Sequence, residues 1–186
     1  MTPFEYLSVL LSIILGLAIT QILEGYRSLL LSRDRVKNHW PALIWSALIL
    51  LFASQAWWVS FGLEARTEWR FDTFLVILLQ MGLIYMMAAL VLPDVPDGAS
   101  PDLAAHYEAQ RRPFFSCLVL VVIVSLLKDF MLEGRLPGSF NLGFHGVLFV
   151  VALLGIFVRR ASGQVALSLF MVLAFAAYVT MLFADL

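Results

Sequence analysis

Cysteine occurs once in this 186-residue chain, at Cys117. A single thiol excludes an internal disulfide framework, a CxxC redox pair and a cysteine-built zinc site. Charge is also scarce: Asp, Glu, Lys and Arg make up 13% of the residues, against about 25% in an ordinary soluble domain. The 12 basic and 13 acidic side chains nearly cancel, for a net charge of −1. No basic surface is therefore available for nucleic-acid phosphates, and no nucleic-acid partner is expected.

Catalytic signatures are missing as well. The sequence has no His-Glu-x-x-His, no GxSxG elbow and no P-loop. The apolar segments carry no paired acidic motif for metal-dependent phosphoryl transfer. Only three histidines exist, His39, His106 and His145. His39 and His145 are predicted at opposite ends of the molecule, so they do not share a haem. The last apolar segment lacks the lysine that a retinal Schiff base needs. No cofactor or metal is expected, and an enzyme is the least supported class.

What the chain has in abundance is hydrocarbon. Hydrophobic residues make up 62% of it, with a mean hydropathy of +0.93. The few charges are clustered, leaving residues 6–23, 40–63, 73–93, 136–158 and 161–184 free of them. Each run approaches or exceeds the roughly 18–20 apolar residues that cross the hydrocarbon core as a helix. A sixth run, 113–132, is interrupted only by Lys128 and Asp129. In lipid the backbone must satisfy itself, which makes these runs helices. Nothing alternates with the period of a transmembrane β-strand. The expected fold is all-α: one polytopic bundle of six transmembrane helices. Its spans are predicted at roughly residues 4–26, 40–63, 73–93, 113–132, 141–158 and 164–184.

Helix-start residues sit at the edges of these runs. Thr2-Pro3-Phe4-Glu5 reads as a capping box with proline at the first helical position. Asn38-His39-Trp40-Pro41 precedes the second span, Asp72 the third, and Asn141 is a cap candidate for the fifth. Connections are short, so successive helices should form antiparallel hairpins. The longest connection opens with the turn composition Asp94-Val95-Pro96-Asp97-Gly98. Ser100-Pro101-Asp102 then predicts a short amphipathic surface helix over about residues 101–111. The N-terminus lacks the basic stretch of a signal peptide, so the first span is expected to be retained.

Lys and Arg orient the bundle. The odd-numbered connections carry Arg27, Arg33, Arg35, Lys37, Arg111, Arg112, Arg159 and Arg160, whereas the opposite face carries Arg66, Arg70, Lys128 and Arg135. The positive-inside rule puts the richer face in the cytoplasm and both termini outside. The expected location is a bacterial cytoplasmic membrane.

Small residues mark helix faces. Ser8, Ser12, Gly16 and Thr20 recur every four residues on the first span, and Gly143, Gly146 and Gly155 lie on the fifth. Such spacing lets helix backbones approach closely. These positions are expected to pack within the bundle, in a homo-oligomer or against other membrane subunits, with the bilayer as the general partner. Trp57-Trp58, toward the end of the second span, read as an interfacial belt or as an aromatic wall facing a substrate. Glu24 and Arg27, three residues apart, are expected to pair locally.

Ionisable groups inside a span are expensive and usually functional. Lys128 lies about 22 Å along a helix that starts at Pro113, and an ideal helix turns it about 100° away from Asp129. Glu133 shares the face of Asp129. Glu5, Gln55, Gln80, His145 and Tyr178 fall in the same half of the membrane. Two readings of the pair stay open: Lys128 snorkels to the outer interface with Asp129 solvated beside it, or both face the bundle, in which case the candidate site for a solute or ion is Glu5, Gln55, Gln80, Lys128, Asp129 and His145. Two functional classes follow: a transporter or channel, or a non-catalytic accessory subunit of a larger membrane complex. Six helices also divide into two three-helix halves of opposite orientation, the arrangement of inverted-repeat transporters, although the halves show no residue-level similarity.

Overall fold

The computed structural model describes residues 3–66, 69–95 and 100–184. They form an all-α bundle of six long helices: α1 (Pro3–Leu31), α2 (Trp40–Ser60), α3 (Phe71–Val91), α4 (Leu103–Glu133), α5 (Ser139–Phe157) and α6 (Ala161–Ala184). A 3₁₀ turn, Phe61–Leu63, extends α2. All six helices are long and apolar enough to cross a membrane. Every helix packs on its neighbour in sequence, as short connections dictate, and α1 also packs on α3, α2 on α6 and α2 on α4. The helices thus form a ring in the order α1, α3, α4, α5, α6, α2, and α2 leans across it onto α3 and α4.

Each helix has two apolar faces with different fates. On α1, Leu7, Leu11, Leu15, Ala18 and Ile22 are buried, at the four-, four-, three- and four-residue spacing of one helical face. Val9, Ile13 and Leu17 on the other side are more than half exposed. An outer surface of this kind is tolerated in lipid and not in water. The core of the ring is densest where Trp45, Phe114 and Phe115 meet edge to face, with ring centroids 5.1–5.5 Å apart. This geometry favours the aromatic quadrupoles beyond the burial of area alone.

Several local expectations change. The surface helix over 101–111 and the span over 113–132 are one helix, α4, with Pro113 inside it. Proline removes one intrahelical donor and crowds the preceding turn. Packing holds the helix together across it, because Leu103, Tyr107 and Arg111 before the proline and Phe114, Phe115, Leu118 and Val122 after it are all buried. Asp102 does cap α4, accepting the Ala105 N–H at 3.0 Å. Gly134 ends it in the left-handed conformation at φ 69°, its N–H donating to Phe130 O at 2.8 Å.

α5 starts at Ser139, so Asn141 lies inside its first turn instead of capping it. Asp72 lies within the first turn of α3, where it accepts the Thr73 N–H at 2.8 Å and a forked pair of bonds from Arg70 at 2.6 and 3.1 Å. His39 is the N-cap of α2 but makes no side-chain capping bond. Glu24 and Arg27 form no ion pair among the described residues. Thr2 of the expected capping box and residues 96–98 of the expected turn lie outside the described residues.

Most of the small-residue positions do not pack within this chain. Ser12, Gly16 and Thr20 are exposed, because they sit about 100° around α1 from the leucine face that packs inward. A Cβ added at Gly16, Gly143 or Gly146 would meet nothing within 4 Å. Gly16, Gly143 and Gly146 make no close helix contact among the described residues; on the stripe Ser8 Oγ donates back to Glu5 O at 2.9 Å, and Trp57 Nε1–H donates to Ser12 Oγ at 3.2 Å. Of the expected glycines, Gly155 does make a close approach, against Phe115, and Gly25 makes another against Leu92.

The Gly155 contact predicts an asymmetric pair of variants. A Cβ at Gly155 would lie 2.5 Å from ring carbons of the fully buried Phe115. Phe115 is boxed in by Trp45 and Phe114 and has nowhere to move. Gly155→Ala should therefore destabilise by about 1–3 kcal/mol through overpacking, whereas Gly16→Ala should be neutral or stabilising by up to about 1 kcal/mol through helix propensity. Thermal unfolding midpoints in detergent check both.

The first connection is tied to the start of α4. Lys37 N–H donates to Pro101 O at 3.1 Å, Leu103 N–H to Lys37 O at 3.3 Å, and Lys37 Nζ to Asp102 Oδ2 at 3.1 Å. The Ala105 N–H, followed by the Lys37 ammonium, holds the Asp102 carboxyl below its ordinary range. A lowered folded value means that the stabilisation is complete above the ordinary range, at about pH 4, and disappears as pH falls through the lowered value. The stability gap between the wild type and Asp102→Ala should accordingly close on acidification below about pH 4, and unfolding midpoints measured from pH 7 to pH 2.5 read this directly.

Candidate functional site

At one end of the ring α4, α5 and α6 close on one another, beside a separate pocket of about 370 Å³ between the ends of α1 and α3; the other end is open. At the closed end, polar side chains of α4 and α6 meet the end of α5. The last carbonyls of any helix lack intrahelical donors, and inside a bundle water does not supply them. Arg111, 4% exposed, fills the gap, its Nη1 donating to Gly155 O at 2.7 Å and Ile156 O at 2.6 Å. Gln164 Nε2 donates to Val158 O at 2.6 Å and Gly155 O at 3.2 Å, and Tyr107 Oη donates to Gln164 Oε1 at 2.6 Å. His106 does the same for α3, its Nε2 lying 3.0 Å from Leu90 O. Beside this network His39 meets Tyr107 at 4.9 Å between ring centroids, and burial holds its imidazole below the ordinary histidine range.

The open end leads into a cavity of about 530 Å³ between α2, α3, α4 and α5, with Leu11 of α1 and Tyr178 of α6 completing its wall. Gln55, Gln80, Lys128, Asp129 and His145, drawn from four helices, all line it. By helix rise, Gln55, Lys128 and His145 lie about 7–9 Å below the ends of their helices, and Gln80 about 13 Å below. Glu5 is the exception. It is exposed in the first turn of α1 and does not reach the cavity, being turned about 120° from Leu11, the α1 residue that does.

Within this ring Lys128 Nζ and Asp129 Oδ1 are 3.6 Å apart, with the side chains 17% and 25% exposed. The 100° offset of adjacent residues is bridged by the flexible lysine stem, so the two heads meet where an ideal-helix projection separates them. The pair is longer than a good charge-assisted hydrogen bond, and both heads keep capacity for a further partner. Glu133, on the Asp129 face, also borders the cavity and pairs outward with Arg135 at 3.4 Å. Arg66 caps α4 from this end, its Nη2 donating to Leu132 O.

His145 is oriented by both ring nitrogens. Nδ1 lies 2.7 Å from Asn141 O, a group that only accepts, which assigns the proton to Nδ1. In the neutral ring Nε2 then accepts from the Ser125 hydroxyl at 3.0 Å. Two amide oxygens, Gln80 Oε1 and Asn141 Oδ1, are buried at the cavity wall without a hydrogen-bond partner. Phe144 stacks on Tyr178 at 4.0 Å and, with Phe52, gives the cavity an aromatic side. Trp57 and Trp58 lie outside, 42% and 58% exposed, where a membrane-facing belt belongs. Among the described residues no three His, Cys, Asp or Glu side chains converge as metal ligands.

Sequence reasoning did not single out Ser125, Asn141 or Arg66 for the site, nor Tyr107, Arg111 and Gln164 for the closed end. Asn141 stands four residues before His145, a spacing that places both on one helical face. Gln164 interrupts an otherwise apolar run. Ser125 and Arg66 carried no such sign, because their partners lie on other elements.

Together these features define an integral membrane protein: a six-helix bundle around a cavity with a largely apolar lining and a cluster of polar side chains. Compared with known protein families, with curated proteins and with solved structures, the chain shows no match in any of the three.

The closed end generates its own prediction. Arg111→Met leaves Ile156 O without a donor inside the bundle and should lower stability by about 1–3 kcal/mol. Tyr107→Phe frees one acceptor of Gln164 and should cost about 1 kcal/mol. Equal unfolding midpoints for Arg111→Met and the wild type would sink this account of the closed end.

Proposed function

We propose that this chain is a non-enzymatic membrane transport protein whose cavity receives a small solute from the face that bears Lys128. The observation that carries this reading is the convergence of Gln55, Gln80, Lys128, Asp129 and His145 on one cavity. Ionisable groups held within the membrane need a reason to be there, and a substrate pathway is the usual one. The cavity is blind. Beyond Leu118 and Met87 the ring is filled by Trp45, Phe114 and Phe115. A one-ended pocket suits a carrier better than a continuously open channel. The Lys and Arg distribution supports a cytoplasmic closed end and an external mouth in a bacterial cytoplasmic membrane.

A second reading, an accessory subunit of a larger membrane complex, draws on a different observation. Gly16, Gly143 and Gly146 offer close-packing faces that nothing in this chain uses.

Impermeant thiol labelling separates the two. In a Cys117→Ser background, Gln80→Cys should react with a membrane-impermeant maleimide added from the external face and more slowly with the same reagent added from the cytoplasmic face, since a carrier exposes its site there only in a minor state. Labelling from neither face would defeat the pocket, and equal labelling from both would make it a channel. Lys128→Met and Asp129→Asn should abolish transport while leaving expression and oligomeric size intact. Under the accessory reading, Gly16→Leu or Gly146→Leu breaks a complex instead, which size-exclusion chromatography of the native assembly detects.

A further inference from the structure

The cavity is not uniformly polar, and its zones are ordered along the membrane normal. The mouth carries Lys128, Asp129, Gln55, His145 and Asn141, with Arg66, engaged on Leu132 O, and Glu133, paired with Arg135, at its edge. Beneath it, apart from Gln80, the lining is hydrocarbon and thioether: Ile49, Ile77, Met81, Ile84, Met87 and Leu118. By helix rise this apolar stretch continues to about 24 Å below the start of α3. About 530 Å³ drawn out over that depth is a slot, not a chamber. A small hydrophilic solute would occupy the mouth and leave the slot unfilled.

The mouth has its own selectivity. Lys128 and Asp129 stand side by side, loosely paired at 3.6 Å, each with hydrogen-bonding capacity to spare. A ligand bearing a single charge would satisfy one of them and repel the other. A ligand with both charges satisfies both. The partnerless oxygens of Asn141 at the rim and Gln80 just below it call for donors on the ligand or on water that accompanies it.

Building on the carrier reading above, we infer that the solute is a single-chain zwitterionic amphiphile, its anionic group on Lys128, its cationic group on Asp129 and its hydrocarbon chain in the slot beneath Gln80. Met81 and Met87 suit the chain, because thioethers adapt to flexible apolar ligands.

The test is binding of radiolabelled lysophosphatidylcholine to the full chain in nanodiscs of neutral phospholipid. Competitors are phosphocholine (head without chain), laurate (chain with an anion only) and dodecyltrimethylammonium (chain with a cation only). The expected result is saturable binding, displaced weakly by all three and weakened about tenfold or more by Lys128→Met and by Asp129→Asn. Ile84→Phe, which narrows the slot away from the charges, should weaken lysophosphatidylcholine and leave phosphocholine unaffected.

Equal displacement by a single-charge amphiphile would overturn the zwitterionic head. Saturable, Lys128-dependent binding of phosphocholine as tight as that of the chain-bearing probe would overturn the amphiphile and leave the small-solute carrier standing. Absence of saturable binding overturns the amphiphile too. The carrier then stands if Gln80→Cys is labelled faster from the external face, and falls with it if Gln80→Cys is not labelled at all.

Discussion

A helix that ends inside a bundle must find donors for its last carbonyls, and this molecule is organised by how it finds them. Arg111 of α4 serves the end of α5, Gln164 of α6 serves the same end, and His106 serves α3. At the opposite end Arg66 serves α4. Each cap is lent by a different element, so a helix end is complete only when its neighbour is in place. In an aqueous protein the solvent would share this task. Here the neighbours must do it, and local backbone chemistry becomes tertiary structure.

The same arrangement explains why the cavity has one mouth. Caps drawn inward at the Arg111 end bring α4, α5 and α6 together, and Trp45, Phe114 and Phe115 fill the space between α2 and α4. No comparable convergence occurs around Lys128, where the helices stay apart and polar side chains line the gap. Around Arg111 the helices close on one another, and around Lys128 they leave a gap lined by polar side chains, with Arg66 capping α4 at its edge.

The spans were legible in the sequence because lipid tolerates charge so poorly that its positions mark the helices. The depth of Gln55, Gln80, Lys128, Asp129 and His145 was legible for the same reason, since 1.5 Å per residue converts position into height. Azimuth was not. Glu5 has the right height and the wrong direction, and the Ser8-Ser12-Gly16-Thr20 stripe has the right spacing on a face turned away from the core. In a soluble helix the polar face identifies the outside. Helices apolar all round give no such reference, so only packing decides which face of α1 turns inward. Pro113 misled in the opposite sense: its local preference favours a boundary, and the buried series from Leu103 to Val122 overrides it.

That unbroken α4 has a mechanical meaning. It carries Arg111 near one end and the Lys128–Asp129 pair near the other, about 25 Å apart along a single rod. A tilt of the rod cannot loosen the grip of Arg111 on α5 without also swinging the charged pair against its surroundings. The contacts of Arg111 and the charged pair are thus placed by one helix, which the aromatic cluster of Trp45, Phe114 and Phe115 packs against the ring near the Arg111 end.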